Sequence, residues 1–299
     1  MIIAGFLVFG LIFGSFLNVC IYRMPRGLSV VHPRSACPAC NAPIAGYDNI
    51  PVLSWLILGG KCRKCKARIS PRYAIVELLT GVLFVLSYLA TDSMAEAAKY
   101  AAFAFLLVGL VFTDAETKLL PDLLTKPGMV LGLIFSFLVY VEGPAQTLLE
   151  RWGDFDWRIL SFINSLAGAI FGAAFILGVA FLYQALRGVE GMGMGDAKLM
   201  ALIGAFLGIK LTLVVLLLAT LTGSLFGMLL MLIVWRKRIA RRRERTSEPA
   251  GIVRAKAWHS AKLIFRNLEI PFGVFLGVAA AFAAFLGMPL VHWYLGLYQ

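Results

Sequence analysis

The chain has 299 residues, of which 60% are hydrophobic and only 15% charged, and it carries a net charge of +12. Its mean hydropathy is +0.85. These values exclude an ordinary soluble domain, because soluble domains carry a charged fraction of about 25%. The composition predicts an all-α polytopic membrane protein, since a helix satisfies its own backbone polar groups inside a bilayer.

Eight apolar runs follow one another along the chain. The first, 2–22, lacks a signal-peptide cleavage site and is interpreted as a retained membrane anchor. A helix needs about 20 residues to cross the hydrocarbon, so the shorter runs require tilt or burial within protein. Residues 199–235 would form a helix of about 55 Å, which is too long for one crossing. We therefore predict a turn at 207–210. The remaining runs are 73–90, 97–113, 128–141, 159–186, 197–208, 211–235 and 270–297.

Two basic segments fix the predicted topology. Residues 22–72 contain nine Lys or Arg and one acid, and residues 236–269 contain eleven and three. The positive-inside rule assigns both segments to the cytoplasm, so an even number of spans must separate them. The six intervening runs meet this condition and give about eight transmembrane helices. The basic segments also suit anionic lipid headgroups, whereas a nucleic-acid partner is not predicted.

The chain divides into three predicted parts. Residues 1–21 form the first transmembrane helix, and residues 22–72 form a small cytoplasmic domain. Residues 73–299 form a membrane domain with a basic cytoplasmic loop at 236–269. Both termini are expected outside the cytoplasm.

Four cysteines in the small domain form two CxxC pairs, Cys37 with Cys40 and Cys62 with Cys65. Four thiolates complete a closed tetrahedral zinc site, so a structural zinc ion is predicted. Disulfides are the competing interpretation, but they are rare in a reducing cytoplasm. A redox CxxC is less favoured because two pairs coexist. Cys20, in the first run, is interpreted as a small core residue.

Two aspartates stand at membrane boundaries. Asp114 ends the third run and Asp196 opens the sixth, so the topology brings both to the same cytoplasmic face. Each also has a purely structural interpretation: Asp196 could cap a helix N-terminus, and Asp114 could be a solvated charge beside Lys118. Two close carboxylates in a low-dielectric pocket share one proton, so one can activate water while the other polarises a peptide carbonyl. The pair therefore predicts aspartic-protease chemistry.

Several motifs carry a resemblance to a known family. The stretch GMGD at 193–196 matches the GxGD motif of intramembrane aspartyl proteases. The stretch DAETKLLPDLLT at 114–125 resembles the first aspartate motif of bacterial type IV prepilin peptidases. The amino-terminal half is similar to the same family through GSFLNVCIYRMPRG, CPAC, DNIPVLSWLILGGKCRKC and ISPRYAIVELLTG. Ala74 stands where the family usually has proline.

The resemblance implies roles for individual residues. It implies that Asp114 and Asp196 are catalytic. Asp122 is expected to shape the loop or touch substrate, and Lys198 either acts electrostatically on Asp196 or extends to the headgroups. Gly193 and Gly195 are expected to let a substrate backbone approach closely.

The resemblance also implies a second activity and a setting. Prepilin peptidases with four cysteines also N-methylate the new amino terminus with S-adenosylmethionine. Glu77 is a candidate for methyl transfer, although an ion pair with Arg72 or Arg68 is the alternative. The implied partners are prepilin and pseudopilin substrates and membrane lipid, in the bacterial inner membrane. Glu116 and Glu190 could attract a basic leader or be ordinary solvated acids.

Two other function classes are consistent with parts of the sequence. A proton-coupled carrier would use Asp114, Asp196 and Glu77 as a relay, but carrier sites usually lie at the membrane midplane. A non-catalytic scaffold would dock a partner through the zinc domain, but it leaves both aspartates unexplained.

Overall fold

The fold is all-helical in the computed structural model, which describes residues 1–149, 153–188, 193–244, 249–266 and 270–296. Within these residues two isolated β-bridges are the only extended pairings. The helices are α1 (Ile2–Arg23), α2 (Leu53–Ile57), α3 (Arg72–Leu89), α4 (Met94–Thr117), α5 (Asp122–Phe135), α6 (Ala145–Leu149), α7 (Trp157–Arg187), α8 (Met194–Arg243), α9 (Ala250–Arg266) and α10 (Phe272–Gly296).

Six of the described helices, rather than the expected eight, are long and apolar enough to cross a membrane: α1, α3, α4, α7, α8 and α10. One difference concerns the run 128–141. Its helix, α5, ends at Phe135, and the chain then turns while Val139 and Val141 stay buried. Hydropathy alone does not distinguish such a buried turn from a membrane span. The other difference is α8, which contains two of the predicted runs.

The 50 residues of α8 form two arms that meet at Gly208. Gly208 has φ 73° and ψ 176°, so the helix is interrupted there, within the turn predicted at 207–210. We call 194–207 the first arm and 209–243 the second arm.

The second arm runs back along the first. A Cβ added at Gly168 of α7 would lie 2.6 Å from the carbonyl oxygen of Gly204 and 2.7 Å from the carbonyl carbon of Gly208. Four residues further along α7, the corresponding neighbours of Gly172 are Met200 and Thr212. Along α7 the contacts therefore move toward the beginning of the first arm, from Gly204 to Met200, and further into the second arm, from Gly208 to Thr212. The chain therefore reverses at Gly208, as a helical hairpin.

The first arm of α8 is the centre of the bundle. Leu199, Met200, Leu202, Ile203 and Phe206 are fully buried. Phe206 stacks on Phe103 of α4 with ring centroids 4.7 Å apart. Such close packing fixes the position of the residues that begin this arm, including Asp196.

A second helix pair carries the small domain. α1 and α3 lie so close that a Cβ at Gly10 would be 2.7 Å from the Cα of Gly81. α1 also packs against α4 in the same direction, because Phe13 meets Phe105 and Leu17 meets Gly109. The carboxyl ends of α1 and α4 thus lie at the same end of the bundle, and the small domain joins α1 to α3 there.

The basic segment expected as a loop at 236–269 is largely helical. Its first residues continue α8 to Arg243, and α9 follows at Ala250–Arg266. Trp235 packs edge-on against Trp258 with ring centroids 5.8 Å apart, so α9 folds against the end of α8.

Candidate active site and metal centre

Asp114 lies in the last turn of α4 and is 5% exposed. The helix ends at Lys118, which has φ 55° and donates its backbone N–H to the Asp114 carbonyl. The Asp114 side chain does not point to bulk solvent. Its Oδ2 accepts a hydrogen bond of 3.1 Å from the backbone amide of Val274 in α10. The alternative interpretation as a solvated boundary charge is therefore wrong.

Asp196 lies in the first turn of α8. The residue at the N-cap position is Gly193, and α8 has no side-chain cap hydrogen bond. The alternative interpretation of Asp196 as an N-cap is therefore wrong as well. Its carboxylate is free to face the bundle.

The two carboxylates face one point on α10. A Cβ added at Gly273 would lie 2.7 Å from Asp114 Oδ2 and 3.4 Å from Asp196 Oδ1. The two oxygens are consequently separated by no more than the sum of these distances. Side chains 82 positions apart in sequence thus form a close acid pair at the end of the bundle that carries the small domain.

An ion pair links α8, which carries Asp196, to α5, the helix that follows α4 and its Asp114. Lys198 Nζ lies 2.6 Å from Asp122 Oδ1, and Lys126 Nζ lies 2.7 Å from Asp122 Oδ2. Lys198 is thus bound to Asp122, the first residue of α5. Gly195 packs closely on Leu120, since an added Cβ would be 3.2 Å from its Cδ1, whereas Gly193 is open.

The four cysteines converge on one point. Their sulfur atoms all lie within 4.8 Å of one another, and Cys37 Sγ is 3.8 Å from Cys65 Sγ. A tetrahedral zinc ion with bonds of about 2.3 Å requires sulfur separations of about 3.8 Å. All five cysteines of the chain are free thiols, so the donor set fits zinc. Hydrogen bonds from the backbone at Ala39 and Cys40 lower the pKa of the Cys37 thiol to about 6, which favours a thiolate there. A backbone hydrogen bond from Ala67 lowers the pKa of the Cys65 thiol, but side-chain hydrogen bonds from the other three cysteines and burial outweigh it and raise that pKa to about 11.

The two CxxC pairs have the same backbone fold. In the first, Asn41 has φ 53° and donates its amide to the Cys37 carbonyl. In the second, Lys66 has φ 57° and donates its amide to the Cys62 carbonyl. Isolated bridges, Ala36 with Pro43 and Lys61 with Arg68, close the two turns. The repeated geometry directs both pairs of sulfurs inward.

Comparison with known proteins identifies the family. Residues 8–91 match the bacterial peptidase A24 N-terminal domain, and residues 100–228 match the type IV leader peptidase family. The chain belongs to the type IV leader peptidase family. A relative from Aeromonas salmonicida, named prepilin leader peptidase/N-methyltransferase, is 34% identical over 96% of this chain and 92% of its own length.

Two further relatives of this leader peptidase carry the same name. The Myxococcus xanthus protein is 38% identical over 82% of this chain and 67% of its own length. The Pseudomonas aeruginosa protein is 34% identical over 75% and 79%. No solved structure matches the chain. These relatives support an enzyme that is both a prepilin peptidase and an N-methyltransferase.

Glu77 connects the leader peptidase's helices to its small domain. Its Oε2 accepts a 2.7 Å hydrogen bond from the backbone amide of Val52. Arg72 instead pairs with Glu116, two residues beyond Asp114. In the described part of the chain no ion pair joins Glu77 to Arg72 or Arg68, so that alternative is wrong. Glu190 lies outside the described residues.

Sequence reasoning missed Gly273 and Val274, which lie beside the acid pair. They follow Pro271 and Phe272 at the start of α10. The only sequence signal was a glycine in the first turn of an apolar helix, which is ordinary in membrane proteins.

Proposed function

We propose that this chain cleaves the basic leader peptide from type IV prepilins and pseudopilins, using Asp114 and Asp196 to activate water. We also propose that it methylates the new amino terminus with S-adenosylmethionine as methyl donor. The names of the relatives support both reactions, peptide cleavage and N-methylation. The observation that carries the peptidase mechanism is that both carboxylates face the same point beside Gly273.

The acid pair supplies general acid and general base catalysis. One aspartate is ionised and takes a proton from water as the water oxygen attacks the scissile carbonyl carbon. The protonated aspartate hydrogen-bonds to the carbonyl oxygen and transfers its proton to it as the water adds, which gives a tetrahedral gem-diol intermediate. The carbon–nitrogen bond then breaks: the leaving amine takes the proton that came from water, and the other aspartate takes back a proton from a hydroxyl of the intermediate. The products are the leader carboxylate and a new amino terminus.

We propose that this chemistry occurs at the cytoplasmic face. The positive-inside rule assigns the basic small domain to the cytoplasm. That domain emerges at the carboxyl end of α1, which lies beside the carboxyl end of α4 and therefore near Asp114. The ion pair of Arg72 with Glu116 joins the end of the small domain to the same turn of α4. An apolar substrate helix in the bilayer would present its polar junction at this level.

We retain eight membrane crossings as part of the proposal. The reversal of α8 at Gly208 supports counting its two arms separately. The first arm has 14 residues, about 21 Å of helix, and it is enclosed by other helices, so it does not need to match the full hydrocarbon thickness. α5 is equally short and packs against the first arm, with Gly128 meeting Leu202 and Gly132 meeting Phe206.

The four cysteines would hold a structural zinc ion. A site with four thiolate ligands is closed, so zinc would stabilise the fold of the small domain and leave no position for a reacting water. Asp48 accepts a bidentate hydrogen bond from Arg63, next to Cys62, and this holds the pKa of Asp48 below its usual range. The domain therefore has a candidate metal site that joins its two CxxC turns and an ion pair that ties the second turn to the segment between them. No residue is assigned to the methyl donor.

The test is cleavage by the purified enzyme in detergent, with a prepilin as substrate and S-adenosylmethionine present. Mass spectrometry reads leader removal and the added methyl group separately. We expect Asp114→Asn and Asp196→Asn each to abolish cleavage and to leave methylation of a pre-cleaved peptide intact. Asp156→Asn is the matched control, because Asp156 only caps α7.

Each alternative outcome has a definite meaning. Cleavage retained in either active-site variant would refute the acid-pair mechanism. Cleavage without any methylation in the wild type would refute the methyl-transfer part alone. Activity in detergent without an ion gradient would also exclude a proton-coupled carrier.

A further inference from the structure

The first turn of α10 closes the acid pair from a third side. This helix lies outside both stretches that match family models, 8–91 and 100–228. It is nevertheless firmly placed in the bundle. Leu276 is fully buried, Gly277 lies against Val111 of α4, and Phe275 meets Phe226 in the second arm of α8 with ring centroids 5.5 Å apart. The start of α10 is thus fixed against α4 and the second arm of α8.

A backbone amide of this turn holds Asp114. The first amides of a helix have no partner within the helix, and the helix dipole favours negative charge at this end. Val274, the third residue of α10, donates its amide to Asp114 Oδ2 at 3.1 Å. The carboxylate is therefore fixed by backbone, which side-chain substitution at 274 would not remove.

The missing side chain at Gly273 leaves a defined space. A Cβ there would lie 2.7 Å from Asp114 Oδ2 and 3.4 Å from Asp196 Oδ1. The first value is a hydrogen-bond distance and the second is slightly longer. A water molecule that bridges the two carboxylates would therefore lie close to the Cβ position of residue 273. Any residue other than glycine would place a carbon atom there.

We propose that the first turn of α10 is the third wall of the catalytic centre, in which the Val274 amide orients Asp114 and the bare backbone of Gly273 provides the position of the attacking water. Gly273 is thus a positioning residue for hydrolysis. This inference rests on the proposed peptidase function and adds a structural element to it. It also explains why a glycine opens α10, where glycine is a poor helix former.

The test uses three glycine-to-alanine variants on the interface of α10. Gly273→Ala places carbon between the carboxylates. Gly277→Ala, one turn further along α10, collides with the side chain of Val111 on α4 and reports packing of the same two helices. Gly223→Ala on α8 meets Phe275 at 3.7 Å, an ordinary contact, and is the neutral control.

We expect Gly273→Ala to lower kcat for cleavage about 100-fold with KM changed by less than about threefold. The added methyl group would displace the attacking water but leave substrate binding unchanged. We expect Gly277→Ala to lose thermal stability but to keep kcat within about tenfold of wild type, and Gly223→Ala to match the wild type. A loss in Gly273→Ala no larger than that in Gly277→Ala would overturn the inference, since the glycine would then serve helix packing alone.

A double variant covers the case in which Gly273→Ala folds poorly. If the added carbon collides with the Asp114 carboxyl, then Asp114→Ala should remove the collision. We expect Gly273→Ala/Asp114→Ala to melt at the same temperature as Asp114→Ala alone. The effects of the two substitutions on stability would then be non-additive, as expected for residues in contact. Additive losses of stability would overturn the inference.

The aspartate variants keep this test separate from that of the proposed function. If Asp114→Asn and Asp196→Asn retain cleavage, the acid-pair mechanism fails and Gly273 has no catalytic context. If both lose cleavage while Gly273→Ala behaves like Gly223→Ala, only the role of α10 fails.

Discussion

Lys198 and Asp122 form an ion pair of 2.6 Å although they are 76 residues apart in sequence. Lys198 stands two residues after Asp196 in α8, and Asp122 begins α5, the helix that follows α4 and its Asp114. The pair therefore holds the start of α8 against the start of α5. Both side chains are partly exposed, so the pair adds little to global stability. Its effect is expected on the relative position of Asp114 and Asp196.

We predict that Lys198→Ala lowers the rate of prepilin cleavage about tenfold, a loss of about 1.4 kcal/mol of transition-state stabilisation. Lys126→Ala is the matched control. Lys126 binds the same carboxylate at 2.7 Å but lies in α5 itself, so it does not join two elements. Steady-state cleavage kinetics would measure both variants. Equal losses of cleavage rate in the two lysine variants would show that the rate depends on neutralising the charge of Asp122 and not on the link between α8 and α5.

Glu77 and Val52 give a second prediction, about docking of the small domain. Val52 has φ 61°, which is strained for a β-branched residue. Such strain costs on the order of 1–3 kcal/mol and persists only where surrounding contacts hold it. The hydrogen bond from the Val52 amide to Glu77 is one such contact. We predict that Glu77→Leu releases the turn before α2, while Glu77→Gln retains it because an amide oxygen still accepts the bond.

Hydrogen exchange at the Val52 amide measures this release directly. We expect faster exchange in Glu77→Leu than in Glu77→Gln. Methylation of a pre-cleaved peptide should be measured in the same variants. If Glu77→Gln keeps the amide protected but abolishes methylation, Glu77 takes part in methyl transfer and is not only a docking residue.

The local motifs were the part of the site that sequence could predict. The CxxC pairs and the GxGD stretch each lie within a few residues of chain, so their sulfurs and the Asp196 carboxylate could be proposed as site groups from sequence alone. The turn at 207–210 was predictable because a helix has a fixed rise per residue and the apolar run exceeded the bilayer. Gly208 has φ 73°, a conformation that glycine adopts readily.

The contacts between distant segments were not predictable. Val274 meets Asp114 across 160 residues, and Asp122 meets Lys198 across 76. Neither contact leaves a periodic or compositional signal in the chain. The extent of α5 was missed for a related reason: Val139 and Val141 are as apolar as a span but belong to a buried turn. Hydropathy reports that a segment avoids water and does not report whether lipid or protein surrounds it.

The four-cysteine cluster gives a third prediction. We expect one zinc ion per chain in the purified protein, and Cys40→Ser to lose it, because a closed site needs all four thiolates. Loss of zinc should unfold the small domain, since binding energy at a structural site is also folding energy. Cys20→Ser is the matched control, as Cys20 is buried in α1 away from the cluster. Metal analysis and limited proteolysis of residues 24–71 would measure both effects.

Two outcomes would contradict this prediction. Retention of zinc in Cys40→Ser would mean that another donor completes the site. Loss of zinc in Cys20→Ser would mean that zinc content depends on the packing of α1 and does not identify the ligands. We expect the chelated wild type to lose methylation along with the fold of its small domain. Cleavage should be affected less, because the proposed catalytic carboxylates lie on α4 and α8.

The contact of Gly168 with Gly204 gives the last prediction. The backbones of α7 and the first arm of α8 touch there, and a Cβ on Gly204 would overlap the peptide group of Gly168. Backbone moves less readily than a side chain, so we predict that Gly204→Ala destabilises the fold by about 1–3 kcal/mol, as overpacking does. Gly178→Ala, on an open face of α7, controls for the change in helix propensity and should not destabilise.

Thermal unfolding in detergent measures the stability of both variants, and cleavage is assayed below their melting temperatures. Because the first arm of α8 carries Asp196 at its start, a shift of this arm should also displace the acid pair. We expect cleavage by folded Gly204→Ala to fall with kcat more than with KM, since misplacement of reacting groups by about 1 Å is costly. Full kcat in a destabilised Gly204→Ala would show that the start of the arm is held by Asp122 and α10 independently of its packing on α7.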